Sequence, residues 1–311
     1  MSELTDLLHR LGGVATSAQL VPRVGRAALD AAVRSGVVLR VARGRYALPA
    51  ADDARTAAHR VGAVVALRSA AASYGWGLKT QPERPELIVP RGRRVAAQEQ
   101  EACRVMWRRL GDHERNGWRT SPTRTVLDAA TSLPFDEALA IADSALRAGH
   151  LTSVQLWRAA NAMPGRGRDR ALEVAWHARD TPANPFESVI RAVSLEVAGL
   201  RLVPQQWLTV AGQRVRPDLV DRWLRIVVEG DSHEFHTSSR AIDGDCWRYD
   251  ELTLDGWFVV RVSWLQAMFH QDWVRSVLGR AVRRQDLALG ADRERLGLAR
   301  LPTTVGRREA A

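Results

Sequence analysis

The sequence predicts an α/β (α+β) multidomain protein with a helical N-terminal unit closed by a β-hairpin, a mixed α/β middle segment and a C-terminal αβββαβ domain. The chain has 311 residues, and at roughly 100–200 residues per domain this length indicates two or three domains. The pattern of elements changes at Thr181-Pro-Ala-Asn-Pro185, a proline-rich stretch typical of a domain boundary. We therefore place the segments at 1–50, 56–180 and 183–284, followed by a basic, partly disordered tail at 285–311.

The composition is that of an ordinary globular protein, with 46% hydrophobic and 26% charged residues. No apolar run approaches the roughly 20 residues of a membrane helix, and the N-terminus lacks the basic and apolar regions of a signal peptide. Cys103 and Cys246 are the only cysteines, which excludes a disulfide framework and a cysteine-based zinc site. We expect a cytoplasmic protein with no membrane partner.

The charge is strongly positive, with 45 Lys+Arg against 35 Asp+Glu and a formal net charge of +10. Lys79 is the only lysine, so a catalytic lysine has one candidate in the whole chain. Arginine binds phosphate and guanine well, and its excess indicates a nucleic-acid partner. An alternative of equal weight for the Lys/Arg ratio is a GC-rich genome that codes arginine for lysine, but this does not explain the net charge.

Residues 1–50 are predicted to form three short helices and a hairpin. The first helix has leucines at the i, i+3, i+4, i+7 spacing of one buried face, namely Leu4, Leu7, Leu8 and Leu11. Thr16 and Gln19 form the capping-box pattern that opens a second helix, and a third helix runs from about Gly25 to Ser35. The strands Val37–Val41 and Arg45–Leu48 then flank a tight turn.

This order of elements predicts a winged helix-turn-helix, in which the third helix enters the major groove and the hairpin contacts the backbone of DNA. Cations cluster on and just before these two elements, at Arg23, Arg26, Arg34, Arg40, Arg43 and Arg45. We therefore expect DNA as the partner of this unit. The alternative is a small helical domain that contacts protein.

The middle segment is predicted to be mixed α/β. Its elements are a helix at Ala57–Tyr74, strands at Pro85–Pro90 and Arg104–Arg109, and helices that open at Ser121 and span Asp136–Gly149. It contains no catalytic constellation, because its histidines are scattered.

The N-terminal half of the chain resembles one known family. Gly12-Gly13-Val14-Ala15-Thr16, Val33-Arg34-Ser35-Gly36 and Arg43-Gly44-Arg45-Tyr46 look like the N-terminal winged helix of AbiEi-type antitoxins, and 56–180 is similar to the middle region of that family. The resemblance implies binding to promoter DNA. It leaves a toxin or a homodimer partner open as a protein partner.

The C-terminal domain is predicted to begin with a helix that Asn184 caps and that carries Glu187. Four strands follow, at Leu200–Val210, Val215–Val220, Arg225–Glu229 and Trp257–Trp264. A charged helix from about Arg240 to Asp255 precedes the last strand, and a final helix runs from about Leu265 to Arg284.

Asp218 and Glu229 lie on consecutive strands joined by a tight turn, so the symmetric register places them opposite each other to within one residue. Asp231 lies two residues beyond Glu229 and projects to the same face if the strand continues. Three converging carboxylates repel one another unless a cation neutralises them. Oxygen ligands favour Mg²⁺ or Mn²⁺, and such an ion can support hydrolysis of a phosphodiester. The alternative is a surface pair of acids with no ligand.

The same stretch resembles the PD-(D/E)XK nuclease superfamily, a restriction-endonuclease-like fold, and within it the very-short-patch-repair branch. The motifs are Glu187, Pro217-Asp218, Glu229-Gly-Asp231-Ser, His236, Asp245-Cys-Trp-Arg248-Tyr-Asp250 and Gly256-Trp-Phe-Val-Val-Arg-Val-Ser-Trp264. The resemblance covers roughly the segment 183–282. It implies that Asp218 and Glu229 are metal ligands and that Glu187 orients a ligand or a water.

The sequence departs from the superfamily at one position, because Asp231 stands where the superfamily has its lysine. The related branch often places an acid and a histidine there instead. Asp231 is thus a third candidate ligand, and His236 is the candidate for proton transfer or water orientation, with a surface or DNA-contacting role as its alternative. Arg248 either contacts the scissile phosphate or pairs with Asp245 or Asp250.

These observations predict a DNA-binding endonuclease that depends on Mg²⁺ or Mn²⁺. The alternative is an antitoxin-like transcriptional regulator whose nuclease-like domain is inactive, which the missing lysine favours. A third hypothesis is a toxin–antitoxin partner that acts only through protein contacts.

Overall fold

The computed structural model describes residues 3–231 and 239–295 and has a mixed α/β fold. The chain divides into two compact units. The first runs through Ser132 and takes in Val154–Ala171, and the second holds Leu133–Ser153 and the chain from Leu172 onward. Packing therefore assigns the helix at Phe135–Arg147, which the sequence placed in the middle segment, to the second unit.

The N-terminal part of the first unit alternates helices with a small sheet. Its elements are α1 (Glu3–Arg10), β1 (Val14–Thr16), α2 (Ser17–Val24), α3 (Arg26–Arg34), β2 (Leu39–Ala42) and β3 (Arg45–Ala47). The strands form an antiparallel sheet in the order β1-β3-β2. The leucines of α1 pack with Leu20, Leu29 and Tyr46 in one core. Strand β1 was not predicted, because three residues between a glycine pair and a helix cap are too few to show alternation.

The rest of the first unit is built on a second sheet. Its elements up to Ser132 are α4 (Asp53–Val61), β4 (Val64–Val65), α5 (Leu67–Ser73), β5 (Glu86–Val89), α6 (Ala97–Ala102), β6 (Arg104–Trp107), a 3₁₀ turn (Asp112–Glu114), β7 (Arg115–Asn116), β8 (Arg119–Thr120) and α7 (Pro122–Ser132). The strand order is β6-β5-β4-β8-β7. The single predicted helix at Ala57–Tyr74 is wrong, because Gly62 adopts the left-handed conformation that ends α4 and the valines of β4 join the sheet.

The remaining helices and strands follow in chain order. They are α8 (Phe135–Arg147), α9 (Ser153–Asn161), α10 (Arg168–His177), α11 (Pro185–Ser194), β9 (Val203–Pro204), β10 (Leu208–Val210), β11 (Gln213–Val215), β12 (Leu219–Asp221), β13 (Ile226–Asp231), α12 (Ser239–Leu254), β14 (Phe258–Ser263), α13 (Trp264–Phe269) and α14 (Gln271–Arg295).

The sheet of the second unit has the order β14-β13-β12-β9, and β10 and β11 form a separate hairpin. Strands β13 and β14 are parallel, and the other pairs are antiparallel. One face of β13 packs Ile226 and Val228 against α11 and α14. The other face packs Val227 with Leu252 of α12 and with the hairpin. The sheet is thus buried on both sides, which explains the very apolar sequence of β13.

Four predicted elements are interrupted or extended. One of them is the strand at Val215–Val220, which is divided between β11 and β12. The strand at Leu200–Val210 is divided between β9 and β10, because Gln205 between them has a φ of 56°. The final helix is divided at His270, which separates α13 from α14. Helix α14 continues to Arg295 and Gln285 is buried in it, so the first part of the tail that was predicted to be partly disordered is helical.

Within the described part of the chain, no helix combines the length and the apolar character that crossing a bilayer requires.

Candidate functional site

The β12–β13 hairpin brings Asp218 and Glu229 to the same end of the sheet. Leu219 pairs with Val228, and the same register extended by one residue sets Asp218 against Glu229, as the sequence predicted. Asp221 fixes the turn at the other end, since its Oδ1 accepts hydrogen bonds from the amides of Trp223 and Leu224 at 2.9 and 3.0 Å. At the site itself, Asp218 Oδ2 accepts a hydrogen bond from the amide of Gly230 at 2.9 Å.

Glu187 approaches this pair from the first turn of α11. Asn184 caps that helix by accepting a hydrogen bond from the Glu187 amide at 2.9 Å. The Glu187 carboxylate in turn accepts hydrogen bonds from the Ala183 amide at 2.9 Å and from Asn184 Nδ2 at 3.1 Å. The side chain is thereby held rigidly, and the residue is only 2% exposed.

Gln205 joins the two parts of the site and was not predicted. Its Nε2 donates to Glu187 Oε2 at 3.0 Å and to Asp218 Oδ1 at 3.3 Å, and its amide donates to the Asp218 carbonyl at 2.8 Å. The side chain points into the site because the backbone at this residue is left-handed. We refer to Glu187, Gln205, Asp218 and Glu229 as the carboxylate cluster.

Burial and mutual repulsion raise the pKa values of the acids in the cluster. Burial, followed by the charge of Asp218, raises the pKa of Glu187 to about 7 and that of Glu229 to about 8. Burial also raises the pKa of Asp218. The cluster therefore holds fewer negative charges near neutral pH than three free carboxylates, and a cation in contact with it would favour the ionised forms.

One oxygen of the cluster lacks a hydrogen-bond partner. Glu229 Oε1 is buried and accepts no hydrogen bond from the described residues, while Arg248 Nη2 lies 3.7 Å from it. A buried carboxylate oxygen with unused lone pairs is a suitable ligand for a hard cation, and the other donors of the cluster are also oxygens. The donor chemistry thus fits Mg²⁺ or Mn²⁺. As arranged here, the side chains that the structure describes include no three His, Cys, Asp or Glu that form a group able to hold an ion.

Asp231 contacts an arginine on the neighbouring strand. Its Oδ2 lies 2.8 Å from Arg261 Nη2, on β14. The guanidinium group of Arg261 also lies over the Tyr249 ring, 4.7 Å from the ring centroid. Asp231 is therefore held by an ion pair at the edge of the site, and its predicted role as a metal ligand stays a prediction.

The remaining candidates of this domain have different positions. Arg248, on α12, lies beside Glu229 and over the Tyr249 ring at 5.2 Å from its centroid. Which of its two predicted roles applies stays a prediction. His236 lies outside the described residues.

The predicted DNA-contacting arginines belong to the first unit. Arg23, Arg34, Arg40 and Arg43 are exposed, as is Arg26, which forms an i, i+4 ion pair with Asp30 at 3.4 Å. Arg45 differs, since it is half-buried against Gly62 at the end of α4. Five of the six arginines are thus available to an anionic partner.

No family model and no curated protein matches this sequence. Two solved chains match it, and one is the crystal structure of the Rv2827c protein from Mycobacterium tuberculosis. That chain is 18% identical and aligns over 60% of this chain and 78% of its own length, with a TM-score of 0.34. A similarity of this size carries no argument about function.

Proposed function

We propose that this protein is a DNA-binding endonuclease that hydrolyses phosphodiester bonds with the help of Mg²⁺ or Mn²⁺. The observation that carries the proposal is the carboxylate cluster, in which the buried acids Glu187 on α11 and Glu229 on β13 converge with the half-buried Asp218, one residue before β12. Such a cluster raises the free energy of the folded protein, because the acids repel one another and lose hydration. A cost of this kind is expected at a functional site.

Asp218 and Glu229 are the residues that would hold the ion, since they lie opposite each other and Glu229 Oε1 has no hydrogen-bond partner among the described residues. A dication in this position supplies charge stabilisation and lowers the pKa of a water. Glu187 orients Asp218 through Gln205. With a pKa of about 7, Glu187 can also accept a proton on a carboxylate oxygen near neutral pH. Arg248 is close enough to contact the phosphate.

The first unit supports the DNA-binding part of the proposal. The order α1-β1-α2-α3-β2-β3 with a three-stranded antiparallel sheet agrees with a winged helix-turn-helix. Helix α3 exposes the small residues Ala27, Ala28 and Ala31 together with Arg26 and Arg34. Small side chains permit close approach to a groove, and the flanking arginines provide phosphate or base contacts.

A second candidate function is an antitoxin-like transcriptional regulator with an inactive nuclease-like domain. Two arginine contacts favour it. Arg261 neutralises Asp231 at 2.8 Å, and Arg248 lies 3.7 Å from Glu229. Arginines in these positions supply part of the charge compensation that a metal ion would otherwise supply.

Plasmid nicking separates the two candidates. The full chain is incubated with supercoiled plasmid in Mg²⁺, in Mn²⁺ or in EDTA. We expect metal-dependent nicking that falls on the order of 100-fold or more in Asp218→Asn and Glu229→Gln, because losing one group that stabilises the transition state costs about this much. Glu173→Gln, an exposed acid on α10 of the same unit, is the matched control and should nick like the parent.

Gel-shift binding without nicking in either metal would instead favour the regulator. The variant Arg34→Gln/Arg40→Gln/Arg43→Gln tests the binding part separately. We expect weaker duplex binding and a smaller dependence of affinity on salt, because each lost phosphate contact lowers the slope by about 0.9.

A further inference from the structure

The hairpin formed by β10 and β11 lies between two residues of the carboxylate cluster in the sequence, Gln205 and Asp218. The chain enters the hairpin after Gln205 and returns to the cluster at Asp218. The Gln205 amide donates a hydrogen bond to the Asp218 carbonyl at 2.8 Å, which joins the two ends of this segment. Trp207 and Arg216 are each two residues from these anchors. Since two residues span at most about 7 Å, both side chains begin close to the site.

One face of this hairpin is exposed and carries an aromatic ring and two cations. Leu208, Val210 and Val215 are buried on the inner face. The alternation of the strands therefore turns Trp207, Thr209, Arg214 and Arg216 outward. Trp207 is 48% exposed, a large fraction for a side chain so close to a buried cluster.

The ring and the cations are arranged as a unit. The guanidinium carbons of Arg214 and Arg216 lie 4.4 and 5.4 Å from the centroid of the Trp207 ring, which is cation–π distance. Arg222 fixes the backbone on which the ring stands, since its Nη2 donates to the Trp207 carbonyl at 2.6 Å and its Nε donates to Gln206 Oε1 at 3.0 Å. The backbone that carries the ring is thus held in place, and Trp207 stays 48% exposed. A base that stacks on the ring displaces the guanidinium group over that face.

The segment that forms this hairpin carries only positive charges. Between Glu196 and Asp218 the sequence has no acidic residue, while Arg201, Arg214 and Arg216 are present. A fixed, exposed indole beside two guanidinium groups is the combination that binds an unstacked base and its flanking phosphates. A fully paired base offers no face to the ring, so this surface distinguishes unpaired from paired nucleotides.

We propose that the exposed face of the β10–β11 hairpin, formed by Trp207, Arg214 and Arg216, binds an unpaired nucleotide of the DNA strand next to the carboxylate cluster. The inference rests on the proposed function and specifies the substrate, which is DNA with an unpaired position rather than uninterrupted duplex. The indole stacks on the base, and the two arginines contact the phosphates on either side.

The test is binding of the full chain to two dye-labelled DNA duplexes in EDTA, measured by fluorescence anisotropy. The duplexes have the same sequence, except that one carries a single extra unpaired nucleotide. We expect Trp207→Ala to weaken binding of the bulged DNA on the order of 5- to 100-fold, which is the usual contribution of one stacked base, and to leave the paired duplex almost unaffected. Trp273→Ala is the matched control, because Trp273 is 46% exposed at the start of α14.

Two further variants keep the test decisive if Trp207→Ala does not fold, which its thermal melt would reveal. Trp207→Phe should keep most of the preference for the bulged duplex. Arg214→Gln/Arg216→Gln, which changes exposed side chains alone, should reduce the salt dependence of binding by about 1 to 2 in slope. Unchanged affinity for the bulged DNA in Trp207→Ala and in the arginine variant would overturn the inference. An equal loss on both duplexes would also overturn it, since the hairpin would then contact paired DNA.

Cleavage is recorded separately, so that the two proposals can fail independently. If the parent protein never nicks DNA in metal but the bulge-specific losses of binding occur, the hairpin inference stands and the hydrolase proposal fails. If the parent nicks DNA and the hairpin variants bind bulged DNA like the parent, the hairpin inference alone fails.

Discussion

A buried ion pair behind the site gives the sharpest stability prediction. Arg191, one turn after Glu187 on α11, donates from Nη2 to both oxygens of Asp143 on α8, at 2.6 and 2.8 Å. Its Nη1 donates to the His177 carbonyl at 2.7 Å, and the amide of Arg179 donates to Asp143 at 2.7 Å. The side chains of Arg191 and Asp143 are 5% and 0% exposed.

Replacing Asp143 alone should strongly destabilise the protein. Asp143→Ala leaves the Arg191 guanidinium buried without its counter-charge, and breaking a buried pair in this way costs about 3–5 kcal/mol. The amide of Arg179 loses its acceptor as well, which adds about 1 kcal/mol. A unit of this size shifts its melting temperature by roughly 2–4 °C for each kcal/mol, so we expect a fall of about 10 °C or more.

Differential scanning calorimetry of the single and double variants measures the effect. In Asp143→Leu/Arg191→Met the whole pair is replaced by apolar groups, and we expect most of the lost stability to return. The reasoning would be refuted if the double variant melted as low as Asp143→Ala, because the loss would then come from packing rather than from an uncompensated charge. Any nicking activity should fall with the single variant, since Arg191 and Glu187 share one helix.

The other predictions concern the site itself. Without metal, we expect the ionisation of Glu229 alone to cost the second unit on the order of 3 kcal/mol of stability as the pH rises from about 5.5 to about 8, because its pKa is about 8 in the folded protein and lies near 4.5 in the unfolded chain. In denaturant titrations, Glu229→Gln should remove this part of the pH dependence and leave the part that comes from Glu187, whose pKa is about 7. Arg261→Gln removes one ion-pair partner of Asp231, so Mn²⁺ should bind several-fold more tightly by calorimetry, and unchanged affinity would argue against Asp231 as a ligand. Gly230→Ala places a methyl group 2.8 Å from Phe186 Cε1, which should cost about 1–3 kcal/mol in thermal unfolding, and adding Phe186→Leu should restore part of it.

The acidic pair of the site was predictable because it depends on local geometry. A tight turn between two strands fixes which residues are opposite, and the ladder from Leu219↔Val228 toward Asp218 and Glu229 has that symmetric register. The capped helix with Glu187 was predictable for the same reason, since Asn184 and Pro185 together mark a helix start.

Gln205 and Arg261 could not be predicted because their roles depend on longer-range placement. Gln205 enters the site through a left-handed backbone, a conformation that glycine and, less strongly, asparagine or aspartate indicate in a sequence, but that glutamine does not. Arg261 meets Asp231 only because β14 runs parallel to β13 after a long connection, and the register of parallel strands is not set by a turn. The division of the predicted helix at Ala57–Tyr74 has a similar cause, since its two halves flank a strand that exists only in the sheet.

The stability cost of the Glu229 carboxylate bears on whether the nuclease-like domain is active. At neutral pH a glutamine in place of Glu229 would avoid both the loss of hydration and the repulsion by Asp218, so the acid lowers stability where it stands. Arg248, at 3.7 Å, compensates this charge only in part, because the pKa of Glu229 still rises to about 8. In a protein that only binds DNA, this loss of stability would have no function. In a protein that binds a cation at this site, cation binding would restore the lost stability. A metal-free Glu229→Gln variant that is more stable than the parent, but that is no longer stabilised by Mn²⁺, would therefore support the hydrolase. Equal stabilisation of both proteins by Mn²⁺ would favour the regulator.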